Sequence, residues 1–216
     1  MRITETEVYI ANIPDLLKPV GYEEAYASLP DFRKRKVDRF TSREDKARSV
    51  AAWLLLEKAL KSHDITPGNI TTNRFGKPYF TDCDDLFFNL SHSASKVMCV
   101  LSPMDVGCDI EVIIESRNTA GIAGRFFTED EVNYMNSEPD SDKAFFRIWT
   151  MKESYLKALG TGIGGSLTSF STIKKAVPGE DGKIRYLHEI PVAEHMAKNF
   201  CAACCSLTET VTVKTF

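Results

Sequence analysis

The chemistry available to this chain starts from two carboxylates on a strand and a charged helix some forty residues later. In Val106-Gly-Cys-Asp-Ile-Glu-Val112 an apolar strand carries Asp109 and Glu111. Residues i and i+2 of a strand point to the same side, which puts the two carboxylates about 7 Å apart at about 3.3 Å of rise per residue. Like charges that close repel unless a cation compensates them. A divalent ion does so, and an all-oxygen ligand set suits Mg²⁺, which takes one or two carboxylates plus substrate phosphates. A solvated edge strand would show the same pattern. Downstream, Phe145 to Gly160 has helical periodicity, with Ile148, Met151, Tyr155 and Leu159 on one stripe. Glu153 and Lys157, four apart, are neighbours on another face. Gly160 ends the helix and opens the glycine-rich run 161–165. Taken alone, this is a core helix with a surface ion pair worth about 0.3–0.5 kcal/mol.

Together the two stretches resemble the paired signature of the 4′-phosphopantetheinyl transferases of the Sfp (surfactin-synthetase-activating) type. That signature is a Gly-x-Asp-x-Glu strand followed by a Trp-x-x-Lys-Glu-x-x-x-Lys helix. Here they read Gly107-Cys-Asp109-Ile-Glu111 and Trp149-Thr-Met-Lys152-Glu153-Ser-Tyr-Leu-Lys157. The resemblance implies that Asp109, Glu111 and Glu153 hold Mg²⁺, with Mn²⁺ as a substitute, and that Glu153, Lys157 and His92 are catalytic. It also implies coenzyme A contacts from Arg33, Lys36, Arg48, Ser49, Lys77, Ser91, His92 and Lys157. The implied reaction moves the 4′-phosphopantetheine arm of coenzyme A onto a serine of an apo acyl or peptidyl carrier protein and releases 3′,5′-ADP. Glu153 is the expected general base. Glu131 has two readings, a second carboxylate near the metal or a structural one.

Other elements must position these groups. Glu7 to Ile13 reads as a strand, Tyr22 to Leu29 as a helix, and Arg33-Lys-Arg-Lys-Val-Asp-Arg-Phe40 as a basic cluster opening into a helix over 42–60. Ser42 is its N-cap, with Asp45 three residues on. The cluster reads as a solvated helix end, or as an anion site if the ligand is phosphorylated. Gly76-Lys77-Pro78 is a turn into an extended segment. Leu86 to Ser93 is an apolar strand with a polar end, a usual place for ligand groups; Lys96 to Leu101 is the next strand. Thr128 and Glu131 form a capping box, and 136–142 reads as a loop. Four strand-like segments follow the central helix: Ser169 to Ile173, Lys183 to Leu187, Asn199 to Leu207 and Thr210 to Lys214.

Each part of the chain thus contains a long helix and several strands, an α+β pattern. The resemblance implies two similar α/β halves, 1–105 and 106–216, related by a pseudo-twofold with the active site at their interface. The chain has 216 residues, is 43% hydrophobic, and carries a formal charge of −3. That is enough to bury a core, and it lacks the basic stripe of a nucleic-acid binder. No apolar run approaches the ~20 residues of a membrane span, and the first ten residues lack the apolar core of a signal peptide. A cytoplasmic monomer is expected. Cys201, Cys204 and Cys205 have no second ligand pair at zinc-finger spacing and read as buried strand cysteines. No Gly-x-x-x-x-Gly-Lys-Ser/Thr loop is present, which disfavours a P-loop phosphotransferase. The alternative function is a carrier-binding or coenzyme A-binding module without catalysis.

Overall fold

The computed structural model describes residues 3–66, 68–115, 118–162, 167–192 and 199–215. It is an α+β fold in which two four-stranded sheets lie face to face, each covered by one 19-residue helix. The first sheet has the order β10-β1-β5-β4: β10 (Val211–Thr215), β1 (Thr6–Asn12), β5 (Lys96–Ser102) and β4 (Phe87–Ser93). Its strands alternate between two apolar faces. Tyr9, Ala11, Val97, Cys99 and Leu101 pack under helix α4 (Arg43–Lys61), with Val50, Leu55 and Leu56. Val8, Ile10, Met98 and Val100 point the other way, onto the second sheet.

That sheet has the order β6-β9-β8-β7: β6 (Gly107–Val112), β9 (Phe200–Ser206), β8 (Ile184–Glu189) and β7 (Ala176–Pro178). Cys108, Ile110, Ala202 and Cys204 meet the first sheet. Ala203, Cys205 and Leu187 lie under α7 (Ser141–Leu159) with Met151, Tyr155 and Leu156. The cysteines of β9 are therefore small apolar groups of both faces, free and buried. Strand β10 comes from the end of the chain yet pairs in parallel with β1, so the division expected at residue 105 is crossed by one strand.

The remaining elements brace the long helices. Short helices α1 (Ile13–Leu17), α2 (Tyr22–Ser28) and α3 (Asp31–Asp38) surround α4. The basic segment is thus a helix of its own, and α4 starts after Ser42, whose Oγ accepts from Asp45 N at 3.0 Å. Helices α5 (Thr119–Phe126) and α6 (Glu129–Ser137) pack against the first turns of α7 through Phe127, Met135 and Phe145. α6 and α7 are longer than the sequence implied, leaving only 138–140 of the expected loop.

The C-terminal end of α7 is closed by Gly160 in the left-handed region (φ 66°). It is also closed by the hairpin β2 (Ile70–Thr72)/β3 (Pro78–Phe80), where Asn73 Nδ2 donates to Gly160 O at 2.8 Å and Lys77 Nζ to Ala158 O at 2.7 Å. A cation at that end also suits the helix dipole. Residues 163–165 of the glycine-rich run lie outside the described residues.

The segment Ser169 to Ile173 is not the expected strand. Leu167–Ser169 is a 3₁₀ turn, and the polar groups on either side of it are spent on side chains. Lys152 Nζ donates to Leu167 O at 2.5 Å and Phe170 O at 2.9 Å, while Thr172 N donates to Glu131 Oε1 at 2.8 Å. A β ladder would have had to break those bonds.

Candidate active site

Gly107 explains how β6 and α7 come together. A Cβ built on it would lie 2.1 Å from Ser154 O and 2.3 Å from Ala158 N, so the strand touches the helix backbone directly. The contact brings Lys157 onto Asp109: Nζ is 2.5 Å from Oδ1. The neighbouring pair expected along the helix, Glu153 with Lys157, is therefore not the short ion pair that forms. Glu153 instead feels both charges. Its carboxyl pKa is raised by burial first and then by Asp109, against the opposing pull of Lys157. For Lys157, burial acts to lower the ammonium pKa, but Asp109, Cys108 and Glu153 outweigh it and the net shift is upward.

Asp109 is 3% exposed. Its Oδ1 accepts from Ser91 Oγ at 2.8 Å as well as from Lys157. Its Oδ2 is buried and has no hydrogen-bond partner among the described residues. Glu111, on the same side of β6, accepts at Oε2 from Ser93 Oγ at 2.9 Å. No three Asp, Glu, His or Cys side chains among the described residues stand together as a formed metal-ligand group.

Beside the carboxylates lies a set of cations. Lys36 on α3 is exposed as a residue, but its ammonium is partly desolvated near Arg33 and Lys157; that desolvation, followed by these two charges, pushes its pKa down to about 8. His92, at the polar end of β4, faces Lys36, Lys157 and Arg48. Burial and then those three charges lower its pKa to about 4, so at neutral pH its ring is uncharged and one nitrogen carries a proton to donate. Arg48 Nη2 bonds Asp45 Oδ1 at 2.6 Å.

Arg33, rather than the neighbouring Lys34, turns inward. It is 5% exposed, donates to Ser49 O at 2.9 Å and Ser49 Oγ at 3.2 Å, and stacks over Trp53. Burial lowers its pKa to about 10, and its Nε has no hydrogen-bond partner among the described residues. Ser49 is itself buried and holds Arg33 in place. Lys77, whose pKa burial lowers, joins Lys36, Asn89, Glu153 and Lys157 along a groove of about 290 Å³ between the hairpin, β4 and α7. Cations close enough to add to burial in lowering the pKa of Lys36 and His92 mark a place where an anion is stabilised.

Glu131 sits elsewhere. It is fully buried, 2.8 Å from the equally buried Lys152, and its oxygens accept from Thr128 N, Thr172 N and Thr172 Oγ1. The capping-box reading holds for it, and the lysine preceding Glu153 in the helix motif is the partner that ties α6 and the 167–172 segment to α7.

The paired motif lies within a longer likeness. A family model described as the 4′-phosphopantetheinyl transferase superfamily matches residues 105–205. Along nearly its whole length the chain is similar to the 4′-phosphopantetheinyl transferase gsp of Aneurinibacillus migulanus, with 35% identity over 212 residues, 95% of this chain and 88% of that protein. The chain belongs to the 4′-phosphopantetheinyl transferase superfamily. It is also 31% identical to the 4′-phosphopantetheinyl transferase Sfp of Bacillus subtilis strain 168 over 162 residues, 71% of each chain. To AcpT of Escherichia coli O157:H7 it is 40% identical over 112 residues, half of this chain and 57% of that one. It is accordingly an enzyme of the phosphopantetheinyl transferase type.

Within that family frame, three features of the site went unread in the sequence. Gly107 was only a motif letter; the close backbone approach explains it. Asn89 and Ser93 were passed over, although Asn89, Ser91 and Ser93 fall two apart on a strand and so share one side. Lys152, in the sequence only a letter of the helix motif, is fully buried.

Proposed function

We propose that this transferase moves the 4′-phosphopantetheine arm of coenzyme A to a serine of an apo acyl or peptidyl carrier protein, in a Mg²⁺-dependent reaction that releases 3′,5′-ADP. The carrying observation is the juxtaposition of a buried carboxylate centre with a ring of cations, Arg33, Lys36, Arg48 and Lys157, whose charges add to burial in lowering the pKa of Lys36 and in keeping His92 neutral among them. Coenzyme A brings a pyrophosphate and a 3′-phosphate, anions of the number and spread that such a ring would take.

The donor set is compatible with a hard divalent ion. Asp109 Oδ2 is buried without a hydrogen-bond partner among the described residues, Glu111 lies on the same side of the strand, and Glu153 responds electrostatically to Asp109. These three would hold Mg²⁺, with Mn²⁺ able to replace it, and the ion would neutralise pyrophosphate charge. The other roles fall to the chain itself. Glu153, directly or through water, accepts the proton of the carrier serine as the oxygen attacks the β-phosphorus. The bond from that phosphorus to the bridging oxygen breaks and leaves 3′,5′-ADP. Lys157 offsets charge on the phosphates, and His92 donates a hydrogen bond instead of a charge. Phosphoryl transfer needs mainly positioning and charge stabilisation, which these residues supply.

No helix among the described residues is long and apolar enough to cross a membrane; we place the enzyme in the cytoplasm as a monomer, with no nucleic-acid partner. The metal reading is tested by transfer assays with EDTA, with Mg²⁺ restored, and with Asp109→Ala. Chelation should stop transfer and Mg²⁺ should restore it, while Asp109→Ala stays folded and inactive. A Mg²⁺-dependent rate equal to wild type in that variant would remove Asp109 from the site.

A further inference from the structure

Strands β4 and β6 are each an edge of their own sheet, and what joins the two edges is a ladder made of side chains. Cys108 N donates to Asn89 Oδ1 at 3.0 Å, Ile110 N to Ser91 Oγ at 3.4 Å, and Val112 N to Ser93 Oγ at 3.1 Å. Each step advances two residues on both strands, so the strands run in the same direction. An edge strand otherwise leaves every second N–H without a partner; here three polar side chains take them up.

Two of the rungs do a second thing. A hydroxyl has one proton and two lone pairs. Once Ser93 Oγ has accepted the Val112 N–H, its proton is directed at Glu111 Oε2, 2.9 Å away. Ser91 acts on Asp109 in the same way, but it also accepts from Lys157 at 3.1 Å, so its removal would disturb several groups at once. Ser93 offers the cleaner case. Fixed on one side by backbone, its hydroxyl holds one oxygen of the Glu111 carboxylate.

We propose that Ser93 is a positioning residue for the divalent-cation site: its hydroxyl, fixed by the Val112 N–H, turns the Glu111 carboxylate toward Asp109. This rests on the reading of Glu111 as a metal ligand. Partners that orient ligands typically change metal affinity about 10–100-fold when removed.

The test titrates the metal-free enzyme with Mn²⁺, followed by electron paramagnetic resonance of the free ion. In parallel, 3′,5′-ADP binding in EDTA is measured by calorimetry. Ser93→Ala should weaken Mn²⁺ binding by about 10-fold or more and leave 3′,5′-ADP binding unchanged. Ser93→Thr, which keeps the hydroxyl, should restore the Mn²⁺ affinity. Ser93→Cys, a weaker donor of similar size, should fall between them, and it serves as the test should the alanine variant not fold. Wild-type Mn²⁺ affinity in Ser93→Ala overturns the proposal. So does a loss that Ser93→Thr fails to restore and that 3′,5′-ADP binding shares, since that marks a merely structural serine. A wild-type enzyme that binds 3′,5′-ADP but no Mn²⁺ overturns the metal reading itself, and this assignment with it.

Discussion

Gly107→Ala puts the strand–helix contact under direct strain. The added Cβ would stand 2.1 Å from Ser154 O, 2.3 Å from Ala158 N and 2.8 Å from Lys157 C. Carbon contacts settle near 3.5–4.0 Å, so α7 must draw back by roughly 1 Å or more. All three atoms are backbone, and no side chain can swing aside to absorb the clash. Overpacking of this kind costs about 1–3 kcal/mol. In a chain of this length each kcal/mol moves Tm by about 2–4 °C, which gives a fall of about 2–12 °C. The same retreat pulls Lys157 from its 2.5 Å contact with Asp109. A misplacement of about 1 Å can cost about a hundredfold in rate. Calorimetry and single-turnover transfer at saturating coenzyme A measure the two effects. The expected variant is folded, less stable and about a hundredfold slower, with the KM for coenzyme A changed much less, because Arg33, Lys36, Arg48 and His92 lie on α3, α4 and β4. Wild-type rate and Tm together would refute the claim that this contact sets the site.

Glu131→Gln should be a stability variant: it leaves the Lys152 ammonium buried without its 2.8 Å counter-charge, at a cost of about 3–5 kcal/mol, read from urea unfolding. A stable but inactive Glu131→Gln would move that residue into the chemistry. A second expectation concerns pH and His92. Its imidazole titrates near 6.5 when unfolded and near about 4 in the folded enzyme. The unfolded state therefore binds the proton first, and this contribution to stability is complete above pH 6.5 and lost as the pH falls toward 4. His92→Gln should flatten that part of the urea-midpoint profile, and an identical slope in variant and wild type would contradict the depressed pKa.

Much of the fold was legible because its elements carry strong local signals. The stripe of α7 and the caps at Ser42, Thr128 and Gly160 were readable, as were the alternating apolar strands. Extents were less so: the basic cluster closed into a helix of its own, and 136–142 was absorbed from both ends. The segment 169–173 misled, because its β-like composition says nothing of Lys152 and Glu131, the buried pair that takes up its polar groups. The site was legible as a set of residue types and not as a set of contacts. Spacing on one strand put Asp109 beside Glu111, and spacing on one helix put Glu153 beside Lys157. Only packing between elements could show that Lys157 bonds Asp109 instead, or that Ser91 and Ser93 reach across from another sheet to the carboxylates.

The central claim is a group transfer, and intact mass spectrometry of the acceptor reads it most directly. Apo carrier proteins of the fatty-acid, polyketide and peptide-synthetase classes are each incubated with the enzyme, coenzyme A and Mg²⁺. At least one class should gain the mass of a single phosphopantetheine arm, with 3′,5′-ADP released in equal amount, and its Ser→Ala form should gain nothing. If coenzyme A binds and no carrier of any class changes mass, the account is contradicted, and a binding role without transfer takes its place.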